Sequence, residues 1–490
     1  MKIAFIGPKW NAMVNAYPSL GLAYLAAVAE KSGHEARIFD FGLRPQRSMA
    51  EETQDVVDFK PDLIAFTSMT TSYASVEESA AMIKQALGVT IIIGGPHATT
   101  LPDLTLENQN IDYLIFGEGE EVFRDFLQAM DSGANNWGEI EGLWYKEDGR
   151  VINGGERDLI KDLDALPYPA RHLFDLKQYP LYAPTGEPML TVLSSRGCPY
   201  NCSFCFKGIV GRTYRQRNPE NIADELQHII DHHGVRNFYF IDDLFTIDVR
   251  RLETILDHFI EQNMDIRWQC LARVDRVNPD LLAKMYRAGC RQIHYGIESG
   301  NEEVLKRTAK HIRLDQVGDA VSWTEAAGIQ SKGYFILGLP GDTEETMEET
   351  IEFAAGLELT DAMFSIATPM PGTALWSELL RKRPGTAYNA DFTKSYYYNS
   401  YTAEIAPFMN VSEVDDEQLS AMALKARQRF LEAKKQRMYR QSFGDTAGDL
   451  LWNVSQVTPI RRVGSALMRA GLFDNFRRTK KSFFGAATWN

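Results

Sequence analysis

The chain is poor in cysteine, with five in 490 residues. So few thiols exclude a disulfide framework and predict a reducing, cytoplasmic setting. No apolar run approaches the roughly 20 residues a membrane-spanning helix needs. The first residues, Met1-Lys2-Ile3-Ala4-Phe5-Ile6-Gly7, read as a strand and not as a signal peptide. There is no G-x-G-x-x-G and no P-loop, which disfavours a dinucleotide or a nucleoside triphosphate. No low-complexity tract occurs. The net charge is −14, so the body is a poor non-specific nucleic-acid binder and no nucleic-acid partner is expected. That charge is uneven. Lys425 to Asn490 holds fourteen Lys/Arg and four Asp/Glu, a net of +10, leaving −24 for the rest.

Three of the five cysteines fall in Ser194-Ser195-Arg196-Gly197-Cys198-Pro199-Tyr200-Asn201-Cys202-Ser203-Phe204-Cys205. The spacing is C-x3-C-x2-C. Iron–sulfur clusters normally take four protein thiolates, so three leave one iron open to a cofactor or substrate. Zinc would need a fourth ligand or a catalytic water, and no second C-x-x-C pair exists. Three reduced thiols without metal are the bland alternative. Cys270 and Cys290 are expected to be buried thiols at strand positions.

With Phe204 before its last cysteine, the motif resembles that of the radical S-adenosylmethionine enzymes. The resemblance implies that Cys198, Cys202 and Cys205 hold a [4Fe–4S] cluster. The open iron would chelate the amino and carboxylate groups of S-adenosylmethionine, whose reductive cleavage gives methionine and a 5′-deoxyadenosyl radical. An electron donor such as flavodoxin or ferredoxin is then implied.

Residues 1–135 alternate strands (Lys2–Gly7, Ala36–Phe41, Asp62–Ser68, Thr90–Gly94, Tyr113–Phe116) with helices such as Leu20–Ser32 and Val76–Leu87. Continuous apolar strands joined by helices predict a doubly wound, Rossmann-like parallel sheet covered on both faces. Such sheets bind ligands at their strand carboxyl ends. The loops there are rich in small and hydroxyl residues, which let a large ligand approach the backbone. This segment is similar to the cobalamin-binding domains that precede many radical S-adenosylmethionine domains. Tyr17-Pro18-Ser19-Leu20-Gly21-Leu22 and the loops after the fourth and fifth strands carry the likeness. It implies cobalamin contacts from Gly7, Pro8, Ser68, Met69, Thr70, Gly94, Gly95, Pro96, His97, Gly117 and Glu118. The D-x-H-x-x-G of many cobalamin proteins is missing: Gly7-Pro8-Lys9-Trp10-Asn11-Ala12 has no histidine. By resemblance the cobalt would have no histidine beneath it. His97 either approaches the corrin or its tail, or structures its own loop.

Residues 136–188 read as a connector, with a hairpin around Glu147-Asp148-Gly149 and then Pro167, Pro169, Pro180, Pro184 and Pro188. Residues 189–370 repeat strand and helix six times: Met189–Ser194, Asn237–Ile241, Ile266–Leu271, Gln292–Gly296, Gly333–Leu337 and Ala362–Ala367, with helices such as Glu220–His233 and Thr343–Leu359. This predicts a partial (β/α)6 TIM barrel, with chemistry at the strand carboxyl ends. By resemblance, Asp242 or Asp243 serves the ammonium of S-adenosylmethionine and Arg273 its carboxylate. Glu298 would meet its polar face, with Phe204 and Gly338 beside it. Surface ion pairs or caps are the alternative for each. His228, His232 and His233 lack a partnering carboxylate motif and read as solvated or capping. Tyr396-Tyr397-Tyr398 and Tyr401 read as a packed seam in preference to a substrate lining. Residues 371–490 are expected to be mainly helical, with Arg and Lys mixed with aromatics from Arg461 to Trp489.

Together the two cofactor domains resemble the cobalamin-dependent radical S-adenosylmethionine methyltransferases and the anaerobic magnesium-protoporphyrin ester cyclases. The expected reaction is methylation of an unactivated carbon on a small-molecule or lipid-like substrate. The alternative is oxidation, cyclisation or ring contraction with cobalamin as an electron relay. No catalytic residue is assigned. A methylthiotransferase acting on transfer RNA would want an extra cluster with further cysteines, and a basic body. The basic C-terminal segment has two open readings, contact with a membrane surface or docking on the acidic body.

Overall fold

The strands of the first sheet are β1 (Lys2–Gly7), β2 (Glu35–Asp40), β3 (Leu63–Thr67), β4 (Thr90–Gly94), β5 (Tyr113–Ile115), β6 (Leu143–Glu147) and β7 (Arg150–Ile152). They are taken from a computed structural model, which describes residues 1–10, 16–134, 136–183, 185–385, 391–395 and 406–456. Their order is β2-β1-β3-β4-β5-β6-β7, parallel through β5 and antiparallel beyond it. The apolar strand β1 feeds both faces. Ile3 and Phe5 pack with Leu22, Phe123 and Phe126 on one side. Ala4 and Ile6 pack with Val56, Val76 and Ile83 on the other. That two-sided burial explains why β1, β3 and β4 read as near-continuous apolar runs. The direction of winding reverses between β1 and β3, so a crevice opens at their carboxyl ends.

The hairpin expected inside the connector pairs with β5, Tyr113 opposite Tyr145. The first sheet therefore continues past residue 135 into the stretch that composition alone marks as a crossing. Trp144 anchors it, donating from Nε1 to the Gly155 carbonyl at 3.1 Å.

The second sheet contains β8 (Met189–Val192), followed after a small ribbon of β9 (Ser195–Arg196) and β10 (Arg215–Gln216) by β11 (Asn237–Phe240), β12 (Arg267–Ala272), β13 (Cys290–Glu298), β14 (Gln330–Leu337) and β15 (Asp361–Ile366). Its order is β8-β11-β12-β13-β14-β15, all parallel. Neighbours in sequence are thus neighbours in space, the topology of a six-stranded partial barrel. Phe238, Phe240, Trp268, Cys270, Cys290 and Tyr295 are buried in the core beneath its helices.

The helix Asp416–Phe443 closes this core with Leu419, Met422, Ala423, Ala426 and Phe430. Its basic residues meet the acidic helix Glu344–Gly356: Lys425 lies 2.6 Å from Glu348 and Arg429 2.7 Å from Glu352. Arg437 donates to the Ala355 carbonyl. The described part of the basic segment therefore docks on the acidic body. Tyr396–Tyr398, Tyr401, Pro184 and Arg461–Trp489 lie outside the described residues. Among those described, no helix is long and apolar enough to cross a membrane.

Candidate active site

The cysteine loop leaves the barrel after β8 and is closed at its base by the β9–β10 ribbon, with Arg196 opposite Arg215. Asp242, buried at the end of β11, accepts from the Ser194 backbone N–H at 3.2 Å, from Ser194 Oγ at 2.7 Å and from Ser195 Oγ. Burial pushes its carboxyl up, and these hydrogen bonds oppose the shift. Asp243 accepts from Gly197 N at 3.0 Å and stays exposed. Gly197 has φ +90°, and a Cβ there would collide with the Thr213 carbonyl oxygen, so only glycine suits this turn.

Within the loop, Lys207 Nζ donates to the Cys198 carbonyl at 3.1 Å, and Ser203 N donates to the Thr308 carbonyl at 3.0 Å. The Ser203 carbonyl accepts from Leu375 N at 2.9 Å. Phe204 packs against Val304, Leu339 and Ala367. Cys202 and Cys205 share a hydrogen bond, which with the nearby Lys310 and Arg273 charges brings the Cys202 thiol down to about 6. Cys205 is correspondingly held up. Among the described residues no three His, Cys, Asp or Glu side chains converge as a single-ion site would require. The three thiols instead stand around one eight-residue loop. An all-sulfur set spread in this way fits a cubane cluster, whose irons sit at separate corners, better than it fits zinc.

The side chains beside the loop come from far along the sequence. Glu298, at the end of β13, has φ +72°, and Ala309 and His311 have φ +54° and +50°. At Ala309 this is an ordinary helix C-cap, with Ala309 N donating to the Lys306 carbonyl and Lys310 N to the Leu305 carbonyl, and His311 follows two residues on. Between the last two, Lys310 Nζ reaches Glu298 Oε1 at 2.8 Å, both nearly buried. Burial lowers the Lys310 pKa, but Glu298 and Cys202 outweigh it and hold the ammonium charged. Lys310 has no sequence pattern to flag it, and the sequence reading missed it.

Two expected ligand residues are engaged elsewhere. Four of the five N–H groups of Arg273 are used by Asp275 and by the Lys310 and His311 carbonyls. Its guanidinium lies 3.8 Å from the ring centre of Tyr200, inside the cysteine loop. Arg273 thus braces the loop where a free carboxylate partner was expected. The space beside Gly338 that a Cβ would take is filled by Leu419, 2.7 Å away, so that glycine serves helix packing. His228, His232 and His233 form no metal group; His232 Nδ1 lies 2.9 Å from the His228 carbonyl.

At the first sheet, the loops after β1, β3, β4 and β5 line one edge. Gly7 ends β1 with Pro8 next in chain, and Gly94 ends β4. Ser68 N donates to the Gly94 carbonyl, and His97 N to the Ser68 carbonyl. A Cβ on Gly95 would lie 2.8 Å from Thr67 Oγ1 and 3.0 Å from the Ser68 backbone, with Pro96 next in chain. Met69 is exposed, beside Thr70. Gly117 N donates to Thr99 Oγ1 at 3.1 Å. His97 is buried and stacked on Tyr73 at 3.8 Å, and burial lowers its pKa to about 4. Both its ring nitrogens, Thr71 Oγ1 and Trp10 Nε1 lack partners among the described residues. Orphaned polar groups at this edge fit a ligand rimmed with amides, as cobalamin is. Glu118 is the exception. Its carboxylate is taken by Arg196, Arg215 and Ile160 N.

Both loop systems approach Gly372. A Cβ on Gly372 would lie 2.7 Å from the ring of Phe206, the residue after Cys205, and 3.0 Å from Thr100 of the β4 loop region.

Two family models match this chain, the radical SAM superfamily over residues 192–354 and the B12 binding domain over residues 12–127. An uncharacterized methyltransferase of Pyrococcus horikoshii is 34% identical over 412 residues, covering 84% of this chain and 86% of that protein. The anaerobic magnesium-protoporphyrin IX monomethyl ester cyclase of Cereibacter sphaeroides is 28% identical over 77% of this chain and 64% of its own. The radical S-adenosylmethionine methyltransferase TsrM of Kitasatospora setae, solved with cobalamin and a [4Fe–4S] cluster, superposes with a TM-score of 0.66 at 17% identity, over 78% of each chain. That last likeness is one of fold.

Proposed function

Because the chain belongs to the cobalamin-dependent radical S-adenosylmethionine enzymes, with a [4Fe–4S] cluster, S-adenosylmethionine and cobalamin as its cofactors, we propose that it methylates an unactivated carbon of a small-molecule or lipid-like substrate. The observation that carries this reading is that Phe206, next to Cys205, and Thr100 of the β4 loop region both approach Gly372, which brings the two loop systems to one place. When bound, the cofactors supply a 5′-deoxyadenosyl radical for hydrogen abstraction and a transferable methyl group. Cys198, Cys202 and Cys205 hold the cluster. Glu298 and Lys310 take the charged amino-acid end of S-adenosylmethionine, and exposed Asp243 offers an acceptor to its ammonium. Asp242 and Arg273 act one step back: the first fixes Ser194 and Ser195, the second fixes Tyr200. Thr71, His97 and Trp10 supply polar contacts to cobalamin.

Product analysis tests the reaction. With methyl-deuterated S-adenosylmethionine, methyl transfer gives S-adenosylhomocysteine and 5′-deoxyadenosine in equal amounts, and a product heavier by the labelled methyl. 5′-Deoxyadenosine with an oxidised, unlabelled product and no S-adenosylhomocysteine would select the cyclase-like alternative instead.

Two partners complete the proposal. A flavodoxin- or ferredoxin-type donor reduces the cluster. The segment Arg461–Asn490 contacts an anionic membrane surface, each Lys or Arg near such a surface contributing about 1 kcal/mol. The charges of Lys425, Arg429 and Arg440 are already matched inside the protein, so the attraction rests on the later residues. Sedimentation with anionic vesicles should show salt-sensitive binding that deletion of Arg461–Asn490 removes. No binding by the intact chain would leave the docked reading alone.

A further inference from the structure

Four buried charges tie the first sheet to the strand that leads into the cysteine loop. Arg196 donates to Glu118 Oε1 at 2.9 Å and to Glu120 Oε1 at 2.6 Å. Arg215, its partner across the ribbon, donates to Glu118 Oε2 at 2.6 Å and to the Ile160 carbonyl at 2.7 Å. The Arg196 guanidinium also lies 5.4 Å from the ring centre of Tyr24, on the helix that follows β1. All four side chains are at most 8% exposed. Burial alone would lower the pKa of Arg196 and raise that of Glu118. The facing charges outweigh it, so Arg196 is held up and Glu118 down.

Net stability is a weak explanation for such a group. The desolvation of buried ions offsets most of their attraction, and apolar replacements often do as well. The best-attested use of buried ion pairs is to fix one register among several that apolar packing would tolerate. Here the elements held in register are the β5 loop, at the ligand edge of the first sheet, and the strand two residues before Cys198. Phe206 of the cysteine loop and Thr100 of the β4 loop region also both approach Gly372, a packing contact with no charge in it.

We infer that the Glu118–Arg196–Glu120–Arg215 group is a positioning device that sets the separation and angle between the cluster site and the cobalamin site. The inference rests on the proposed function for the identity of those two sites. The four residues touch neither cofactor; they act through the loops they hold.

The test uses the anaerobically reconstituted full chain with Glu118→Gln and Glu120→Gln, each close in shape to the original, and Arg196→Lys, which keeps the charge but loses the two-armed fork. Iron and cobalamin contents should stay at wild-type levels, and so should the rate of 5′-deoxyadenosine formation. The amount of final product per 5′-deoxyadenosine should fall by about tenfold or more, because a misplacement near 1 Å is enough to cost that much. The magnetic interaction between the reduced cluster and cob(II)alamin, read by paramagnetic resonance, should change in the same variants. That readout needs no substrate and no turnover, so it separates failure of this inference from failure of the methyl-transfer reading. Wild-type coupling and wild-type magnetic interaction in all three variants would overturn the inference. So would loss of a bound cofactor in both Glu→Gln variants, which would make the group part of a cofactor site. Unfolding of all three would make it a stability element and overturn it too. Glu120→Gln leaves the Glu118–Arg215 pair intact, so it decides the matter if the others fold poorly.

Discussion

Replacing Cys198, Cys202 or Cys205 by Ala drops S-adenosylmethionine cleavage below detection and lowers the bound iron and sulfide of the reconstituted chain. The expectation follows from the donor set. Three thiols ring one loop, whose backbone is held from four directions by Lys207, Thr308, Leu375 and Asp243. No other cysteine can substitute, because Cys270 and Cys290 are fully buried under the barrel helices. Cys290→Ala is therefore the control: it removes a buried thiol and leaves cleavage in place. Cleavage surviving in any of the three loop variants, measured as 5′-deoxyadenosine under dithionite, would remove that cysteine from the site.

Lys310→Met and Glu298→Gln are expected to have the next largest effects. Breaking a buried pair by removing one partner strands the other charge, at about 3–5 kcal/mol of fold stability. Each should also weaken S-adenosylmethionine binding by about ten- to a hundredfold, the loss of one charged hydrogen-bonding partner. The double variant Lys310→Met with Glu298→Leu separates the two effects. It leaves no stranded charge, so it should regain stability while still binding the cofactor weakly. Normal binding by both single variants, in equilibrium dialysis, would leave the pair a purely structural bridge.

The cysteine loop and the Glu298–Lys310 pair differ in how far apart along the chain their partners lie. The C-x3-C-x2-C loop was legible because its information is local: three donors within eight residues. The strands were legible for the same reason, since period and apolar run length show in β1, β4 and β11 without reference to neighbours. Strand ends at Asp242, Arg273, Glu298 and Gly338 were legible as places. What each does there depends on distant partners. Asp242 turns inward because Ser194 and Ser195 meet it across 48 and 47 residues. Arg273 is claimed by Tyr200 and Asp275, and Gly338 by Leu419. Glu118 looked like a ligand because its loop is at the right edge; Arg196 and Arg215, 78 and 97 residues away, take its carboxylate. Lys310 carried no signal at all. It sits between two residues in left-handed backbone that no periodicity announces. The β6–β7 hairpin was legible as a hairpin, but its pairing with β5 is a matter of spatial adjacency that composition does not encode.

One chain holds a cluster and cobalamin at adjacent loops. Iron, sulfide, cobalt and zinc analysis of the chain after anaerobic reconstitution with iron, sulfide and cobalamin tests it most directly. The expected result is about four iron and four sulfide per chain, as one [4Fe–4S] cluster requires, together with about one cobalt and no zinc. The iron should be lost, and the cobalt retained, when the three loop cysteines are replaced together. A chain that takes up zinc alone, or cobalt without iron, would contradict it.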